Sequence, residues 1–529
     1  VVEPRISTQW FVKMKPLAGP ALEQVLNGSI RIHPGEKFLA TYKYWLENVK
    51  DWCISRQLWW GQRIPAWYDD KNNFVVAENE AEAIKAYQAG FGPLEPGKSL
   101  RQDEDVLDTW FSSWLWPMEV FKGITSPGNA DLRYYYPGSV LVTGQDIIFF
   151  WVARMIMAGM EYEGKKPFSD VYFTGMVRDK LGRKMSKSLG NSPDLLELID
   201  KYGADAVRFG ILISSPAGND LLFDEAGLEQ GRNFNNKLWN ALKLVRLWKE
   251  KTVATDEPET AGHFAVQWFE HRLNEAKTEM QQLITGFKLS EALKTLYSLI
   301  WDDFCSWYLE WVKPPFGQSM PAAVYDRTIS FFEELLHWLH PFMPFITEEI
   351  YHLLRDRADG DDLCIRQYSQ PGTFDKSILE KANRLQMLLT VSREFRQQHQ
   401  LKNSEPLTRL FIDREVFGSS ESLYRILGRQ LNAAALDFET KDFGPEVHRI
   451  PFMGYQLGFE TSGKIDQGRQ KLELEKELKY YQGFLESLNK KLSNERFMQN
   501  AKPEVVALEK KKKSDTEEKI RAIELTLRN

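Results

Sequence analysis

A chain of 529 residues is too long for one hydrophobic core, and 43% hydrophobic with 27% charged residues is the balance of several folded domains rather than of a disordered polymer. The net charge of -6 argues against a generic nucleic-acid binder, although an RNA-handling protein needs only one basic face. No apolar run is long enough to span a bilayer, no signal-peptide pattern opens the chain, and the three cysteines (Cys53, Cys305, Cys364) are far apart with no Cys-x-x-Cys pair; these features point to a cytoplasmic, reducing location without a structural zinc.

In chain order, residues 1 to about 220 mix short apolar strands with helices. Val1-Val2-Glu3-Pro4 opens without a methionine, as a fragment or processed product would. Ser139–Gly144 reads as a buried strand, Asp146–Met160 as an apolar helix and Asp170–Gly175 as a second strand. Strand, helix, strand is a parallel crossover unit, whose ligands sit beyond the carboxyl ends of the strands. From 221 to 368 long helices take over: Leu289, Leu293, Leu296, Ile300, Phe304, Trp307 and Trp311 recur three or four apart and form one apolar stripe, as in a helical bundle. Residues 369–462 look smaller and mixed, with a helix near 376–400 and strands at Leu407–Asp413 and 447–460. In 463–529, Leu474, Leu478, Tyr481, Leu485, Leu488 and Leu492 make a heptad seam, and after a break at Ser493–Pro503 a weaker seam runs through Val506, Ile520, Ile523 and Leu527. An antiparallel hairpin is the economical reading, with an intermolecular coiled coil as the alternative. Lys510–Lys513 is either a solvated face or a phosphate contact. The fold class is thus multidomain α/β plus α.

The densest chemistry lies in Lys184-Met185-Ser186-Lys187-Ser188, followed by Leu189-Gly190-Asn191. Two lysines and two hydroxyls sit in a glycine-flanked loop, and Ser192-Pro193 reads as the cap and first turn of a helix. A cationic loop before a helix N-terminus suits a polyphosphate; an ordinary exposed basic loop is the plain alternative. The eight histidines show no metal-ligand spacing, so no metal site is expected. Of the 17 tryptophans, bulky cores explain most, and some should line a pocket or stack on bases. Ile147 and Trp151, four apart, share one helix face at the end of a strand.

Lys184–Ser188 matches in full the KMSKS signature and resembles the class I aminoacyl-tRNA synthetases. That resemblance implies the second half of a Rossmann-type catalytic domain, with ATP and its Mg²⁺ as substrate, Lys184, Ser186, Lys187 and Ser188 as catalytic loop, and Lys187 on the phosphates. Gly144, Asp146 and Met185 would meet the nucleotide, Asp146 by accepting from ribose hydroxyls. Gln145 stands where this family more often has another residue. Asp105–Ser113, Thr143–Arg154 and Trp52–Gln57 resemble the valine branch, and imply a valine pocket lined by Trp110, Ile147 and Trp151. Such a pocket cannot strongly reject threonine, which has nearly the same shape, and this enzyme type is a standard illustration of that limit. The family's answer is an editing domain. Glu3–Lys13 is similar to the segment that follows it, so that domain would lie upstream.

Gly231–Asn240 and Leu339–Glu349 resemble the anticodon-binding bundle, where Arg232, Asn233, Asn236 and Lys237 either contact tRNA or brace the bundle. The terminal hairpin is similar to the tRNA-binding arm of the bacterial type. The implied partners are tRNA(Val), ATP and valine, and the chain reads as a monomer. His33-Pro34-Gly35-Glu36 is not the HIGH signature and no His-x-Gly-His occurs. The expectation is therefore a C-terminal portion that does not activate valine by itself. Two rivals stand beside it: a sister ligase such as the isoleucine type, and a non-catalytic tRNA-binding derivative.

Overall fold

The computed structural model describes residues 7–254, 261–315, 317–399, 401–402, 404–418, 420–438, 447–461, 467–494 and 503–528. Val1–Ile6, the 462/463 boundary and residues 495–502 of the arm break lie outside them. The chain divides into two compact units, one of residues 1–231 with 283–292, the other of 232–282 with 293–529.

The first unit is built on a parallel sheet in the order Arg31–His33, Phe168–Thr174, Gly138–Gly144. The central strand is apolar because both its faces are covered: Val171 and Phe173 are fully buried. Asp170 is the exception, and its carboxylate is spent on Arg31 and His33 of the neighbouring strand, each at 2.8 Å. Gly138–Gly144 departs from the expected buried strand. Leu141 and Thr143 are buried, but Val140 and Val142 are 44% and 58% exposed, because this strand is the edge of the sheet among the described residues and one face lies bare.

The expected helix is present but irregular. A 3₁₀ turn at Gln145–Ile147 leads into π turns at Ile148–Ala153, an α segment at Arg154–Ala158 and further π turns at Gly159–Glu163. Val152–Gly159 are all buried, so core packing outweighs ideal helical winding here. Residues 64–102 hold a small antiparallel sheet (Phe74–Val76, Ala66–Tyr68, Arg101–Gln102) with the Glu80–Phe91 helix, capped by Asn79 accepting from Glu82 N at 3.0 Å. Strands of two and three residues leave no periodicity to read, and the sequence did not announce them.

In the second unit the predicted stripe is one continuous helical run from Leu289 to Val312, with π turns at Leu299–Tyr308. Leu293, Leu296, Ile300, Phe304 and Trp311 are buried on it; its first turn, to Ala292, belongs to the first unit. Glu225–Lys249 (from Arg232 on), Ala261–Thr285, Ala322–Leu339 and Pro344–Leu354 are further long helices of this region. Glu348 and His352 stand four apart on the last helix, a spacing that the histidine pattern alone does not single out. With Asp362 they converge, His352 Nε2 lying 3.2 Å from Glu348 and 3.0 Å from Asp362. Glu348 also accepts from Leu363 N at 3.0 Å, so the cluster closes the connecting loop onto its helix.

The Lys376–Gln398 helix falls as expected, capped by Asp375. The strand expected over 447–460 is instead a hairpin, Val447–Phe452 and Tyr455–Glu460, turned by Met453-Gly454. Leu407–Asp413 shortens to Arg409–Phe411. The Glu421–Gln430 helix has no counterpart among the sequence-based expectations. Buried Arg396 holds this region together by donating to the carbonyls of Lys402, Glu405 and Leu431 at 2.7–2.9 Å.

The last two helices, Gln467–Leu492 and Pro503–Arg528, pack antiparallel within the chain: Lys491 meets Glu509 at 3.2 Å and Lys519 lies 5.1 Å over the Tyr481 ring. Leu488 and Ile523 are 4% and 2% exposed, whereas Lys510, Lys511 and Lys512 are exposed. Leu488→Ala is expected to destabilise this pair by about 2 kcal/mol, read as faster amide exchange over 478–492 and 506–523 with no change in the first unit.

Candidate active site

The carboxyl ends of the parallel strands carry the predicted loop. The central strand ends at Thr174, and Gly175 then runs so close to Asn219 that an added Cβ would lie 1.7 Å from its carbonyl oxygen. Only glycine fits such an approach. Beyond it Val177–Arg178 pairs in parallel with Leu221–Leu222, and Asp220 braces the junction by accepting from Met176 N at 2.9 Å, from the Arg178 guanidinium and from Gln145 at 3.2 Å. Gln145 is thus tied to the root of the loop.

The loop itself is closed by two side chains to which the sequence pattern gives no role. Asp179 accepts from Leu181 N, Arg183 N, Arg183 Nε and Asn191 Nδ2 at 2.8–3.0 Å. Asn191 in turn accepts from Ser186 N at 2.9 Å and donates to Lys184 O at 3.3 Å. The motif is therefore a ring fastened at its far end by Asn191. Asp179 and Asn191 flank the signature as turn-favouring residues, but the local pattern does not show that they meet. Ser186 caps the short turn at Lys187–Leu189, and its Oγ lies 3.2 Å from that of Ser188. The following helix, Leu195–Tyr202, is capped by Asp194, not by Ser192 as expected; Asp194 accepts from Leu196 N at 2.7 Å, and Ser192-Pro193 lead into it.

The hydrogen bond from Asn191, with those from Arg183, holds the Asp179 carboxyl well below the usual carboxylate range. A depressed folded-state value means that its contribution to loop order is present above the ordinary value of 3.8 and is lost as pH falls below it. Pepsin is expected to spare residues 179–191 near pH 5 and to cut them as the pH drops well below 3.8, whereas Asp179→Asn is cut at both.

The structure brings two of the expected nucleotide residues, Gly144 and Asp146, together with Lys184 of the loop. Lys184 Nζ lies 3.7 Å from Asp146 Oδ2, with both side chains more than half exposed. Gly144 makes room for that carboxylate, since a Cβ there would stand 2.7 Å from Asp146 Oδ1. Met185 is half-buried, its N–H donating to Val177 O at 3.1 Å. Lys187 is exposed and pairs with no carboxylate among the described residues.

Trp110 and Trp151 are half-buried against one core, and both are tied to the Thr109–Ser113 turn. Trp110 N donates to Asp108 Oδ1 at 3.1 Å, and Trp151 Nε1 donates to Ser113 O at 3.1 Å. Ile147 is half-buried one turn before Trp151. Asp108 and Arg154, to which the sequence pattern also gives no role, stand behind these rings. Arg232, Asn233, Asn236 and Lys237 belong to the other unit, on the Glu225–Lys249 helix. Asn233 and Asn236 are exposed, Arg232 is half-buried, and the Lys237 ammonium lies 5.1 Å over the Trp301 ring.

Residues 1–224 match the family of class I tRNA synthetases (I, L, M and V), 266–412 the anticodon-binding domain of tRNA ligase, and 465–529 the valyl tRNA synthetase tRNA binding arm. The four candidate RNA-contacting residues at 232–237 precede the matched anticodon-binding range. The valine–tRNA ligase of Bacteroides fragilis is 49% identical over 527 residues, 99% of this chain and 59% of that protein. That of Porphyromonas gingivalis is 49% identical over 98% of the chain and 58% of its own length, and that of Chlorobaculum tepidum 42% identical over 97% and 58%. The chain thus spans a little under three fifths of the length of these relatives. Among solved structures, LeuRS of Agrobacterium radiobacter K84 in a ternary complex with tRNA matches with a TM-score of 0.47 at 20% identity, over 62% of this chain and 43% of that one. Among the described residues no helix is long and apolar enough to cross a membrane. Residues 1–224 thus match the class I tRNA synthetases, and over nearly its whole length the chain is 42–49% identical to these valine–tRNA ligases.

Proposed function

We propose that this chain supplies the KMSKS side of a valine–tRNA ligase: ATP and valine are joined as an adenylate, and the valyl group passes to the terminal ribose of tRNA(Val). The observation that carries this reading is the ordered Lys184–Asn191 ring at the carboxyl ends of parallel strands, with Lys184 facing Asp146 and Lys187 exposed. In the reaction the valine carboxylate oxygen forms a bond to the α-phosphorus and the bond to pyrophosphate breaks. Negative charge grows on the phosphoryl oxygens and the leaving group. Fixed ammonium groups stabilise that charge most where it is greatest, in the transition state. Mg²⁺ arrives with the ATP as part of the substrate and is not a resident metal.

Valine sits against Trp110, Ile147 and Trp151; Gly144, Asp146 and Met185 take the nucleoside. The proposed domains are 1–220 for the catalytic half, 221–368 for anticodon binding, 369–462 as a linking α+β domain and 463–529 as a coiled-coil arm on the tRNA. A single copy in the cytoplasm completes the picture.

The 529-residue chain contains no His-x-Gly-His, so the groups that signature brings to the phosphates are not among its own. The chain by itself is expected to retain tRNA(Val) on a filter and to show no valine-dependent ATP–pyrophosphate exchange above background. Clear turnover by the purified chain would overturn the division of labour. Failure to retain tRNA(Val), or equal retention of unrelated tRNAs, would overturn the partner.

A further inference from the structure

We propose that Asp108, ion-paired to Arg56, and buried Arg154, stacked on the Trp52 indole that donates to Asp108, are positioning residues that set the two tryptophan walls of the amino-acid pocket. The inference rests on the reading that Trp110 and Trp151 line that pocket.

Asp108 is 8% exposed, and three donors converge on it. Its Oδ2 accepts from Trp52 Nε1 at 3.0 Å and from Arg56 Nη2 at 2.6 Å; its Oδ1 accepts from Trp110 N at 3.1 Å. Only an ionised carboxylate accepts from all three without presenting a donor of its own. Arg154 is 4% exposed, and its Nε and Nη1 have no hydrogen-bond partner among the described residues. Its guanidinium lies 3.6 Å over the Trp52 ring, the same indole whose N–H serves Asp108, with Phe149 and Phe150 at 5.5 and 5.6 Å. Such a cation persists only where ring faces and a nearby carboxylate offset its lost hydration. Burial pushes the Arg154 guanidinium down to about 10, against the pull of Asp108.

The network returns to the pocket on both sides. Phe150 stacks on Trp110 at 6.0 Å and 28°. Trp151 hangs by its indole N–H from Ser113, at the far end of the turn that Asp108 caps. One carboxylate therefore fixes where the turn begins, and the turn fixes both indoles. A pocket for a small aliphatic side chain gains only about 10–200-fold in discrimination per methylene, so wall placement decides how well valine is told from its neighbours in size. Asp108 and Arg154 are positioning residues, acting through the indoles.

The test is steady-state ATP–pyrophosphate exchange in an active valine–tRNA ligase containing this chain in full. Asp108→Asn, which turns an amide N–H toward two donors, is expected to raise KM for valine about tenfold while kcat and KM for ATP stay within about twofold. Asp108→Glu, which keeps the carboxylate, should recover part of the loss. Arg154→Met should shift KM for valine in the same direction and Arg154→Lys less so; if the Met variant fails to fold, the Asp108 series decides. Trp110→Ala tests the pocket itself, and the Asp108→Asn/Trp110→Ala double variant should be no worse than Trp110→Ala alone. Additive losses, or equal rises in KM for ATP and valine, overturn the positioning role. A raised KM for valine in Trp110→Ala beside an unchanged one in Asp108→Asn sinks this inference alone. An unchanged KM for valine in Trp110→Ala sinks the pocket reading, and this role with it.

Discussion

Replacing Lys187 with alanine is expected to slow valyl-adenylate formation at least about a hundredfold while tRNA retention on a filter changes by less than about threefold. The asymmetry follows from where the side chain stands. Lys187 is exposed on the ring's short turn and engaged by no carboxylate among the described residues, whereas Lys184 already shares its charge with Asp146 at 3.7 Å. What the fold takes from residue 187 is its carbonyl, which accepts from Gly190 N at 3.2 Å, and alanine keeps that. The ring should therefore survive, with an unchanged melting temperature, and the loss should appear in kcat for exchange. Comparable losses in adenylate formation and in tRNA binding would remove Lys187 from the phosphate role.

Gly175→Ala is expected to be the most disruptive single-methyl change in the first unit, costing more than about 3 kcal/mol. The new Cβ would meet Asn219 O at 1.7 Å, Asn219 C at 2.2 Å and Asp220 N at 2.7 Å, all of them backbone that cannot rotate aside. Moving that backbone moves Asp220, the acceptor that joins Met176, Arg178 and Gln145 at the root of the loop. Thermal unfolding should shift down by several degrees, and proteolysis between 178 and 194 should accelerate. Unchanged stability, with the loop as resistant as before, would refute the account of the junction.

What could be read in the sequence depended on how far apart the cooperating residues lie. The Leu289–Trp311 stripe and the Lys376–Gln398 helix carry their own periodicity, and the structure has them. The loop's identity was legible because five contiguous residues define it. Its fastening was not: Asp179 and Asn191 meet across twelve positions, and Asp220 reaches Gln145 across 75. Asp108 stands within the Asp105–Ser113 stretch, yet its role depends on Trp52 and Arg56, more than fifty residues earlier. Tertiary pairing supplies those meanings, and local pattern does not hold them. Ser192 lost the helix cap to Asp194 because both residue types cap well and only the path of the loop decides between them. The hairpin at 447–460 hid as one strand because Met453-Gly454 turns the chain with no polar interruption.

The bare flank of the Gly138–Gly144 strand has a consequence for the chain as a material. Among the described residues no strand pairs with its outer edge, and such an edge beside two outward valines is a template on which a further strand can extend the sheet. A lysine at position 140 or 142 would act as a gatekeeper there without touching the core.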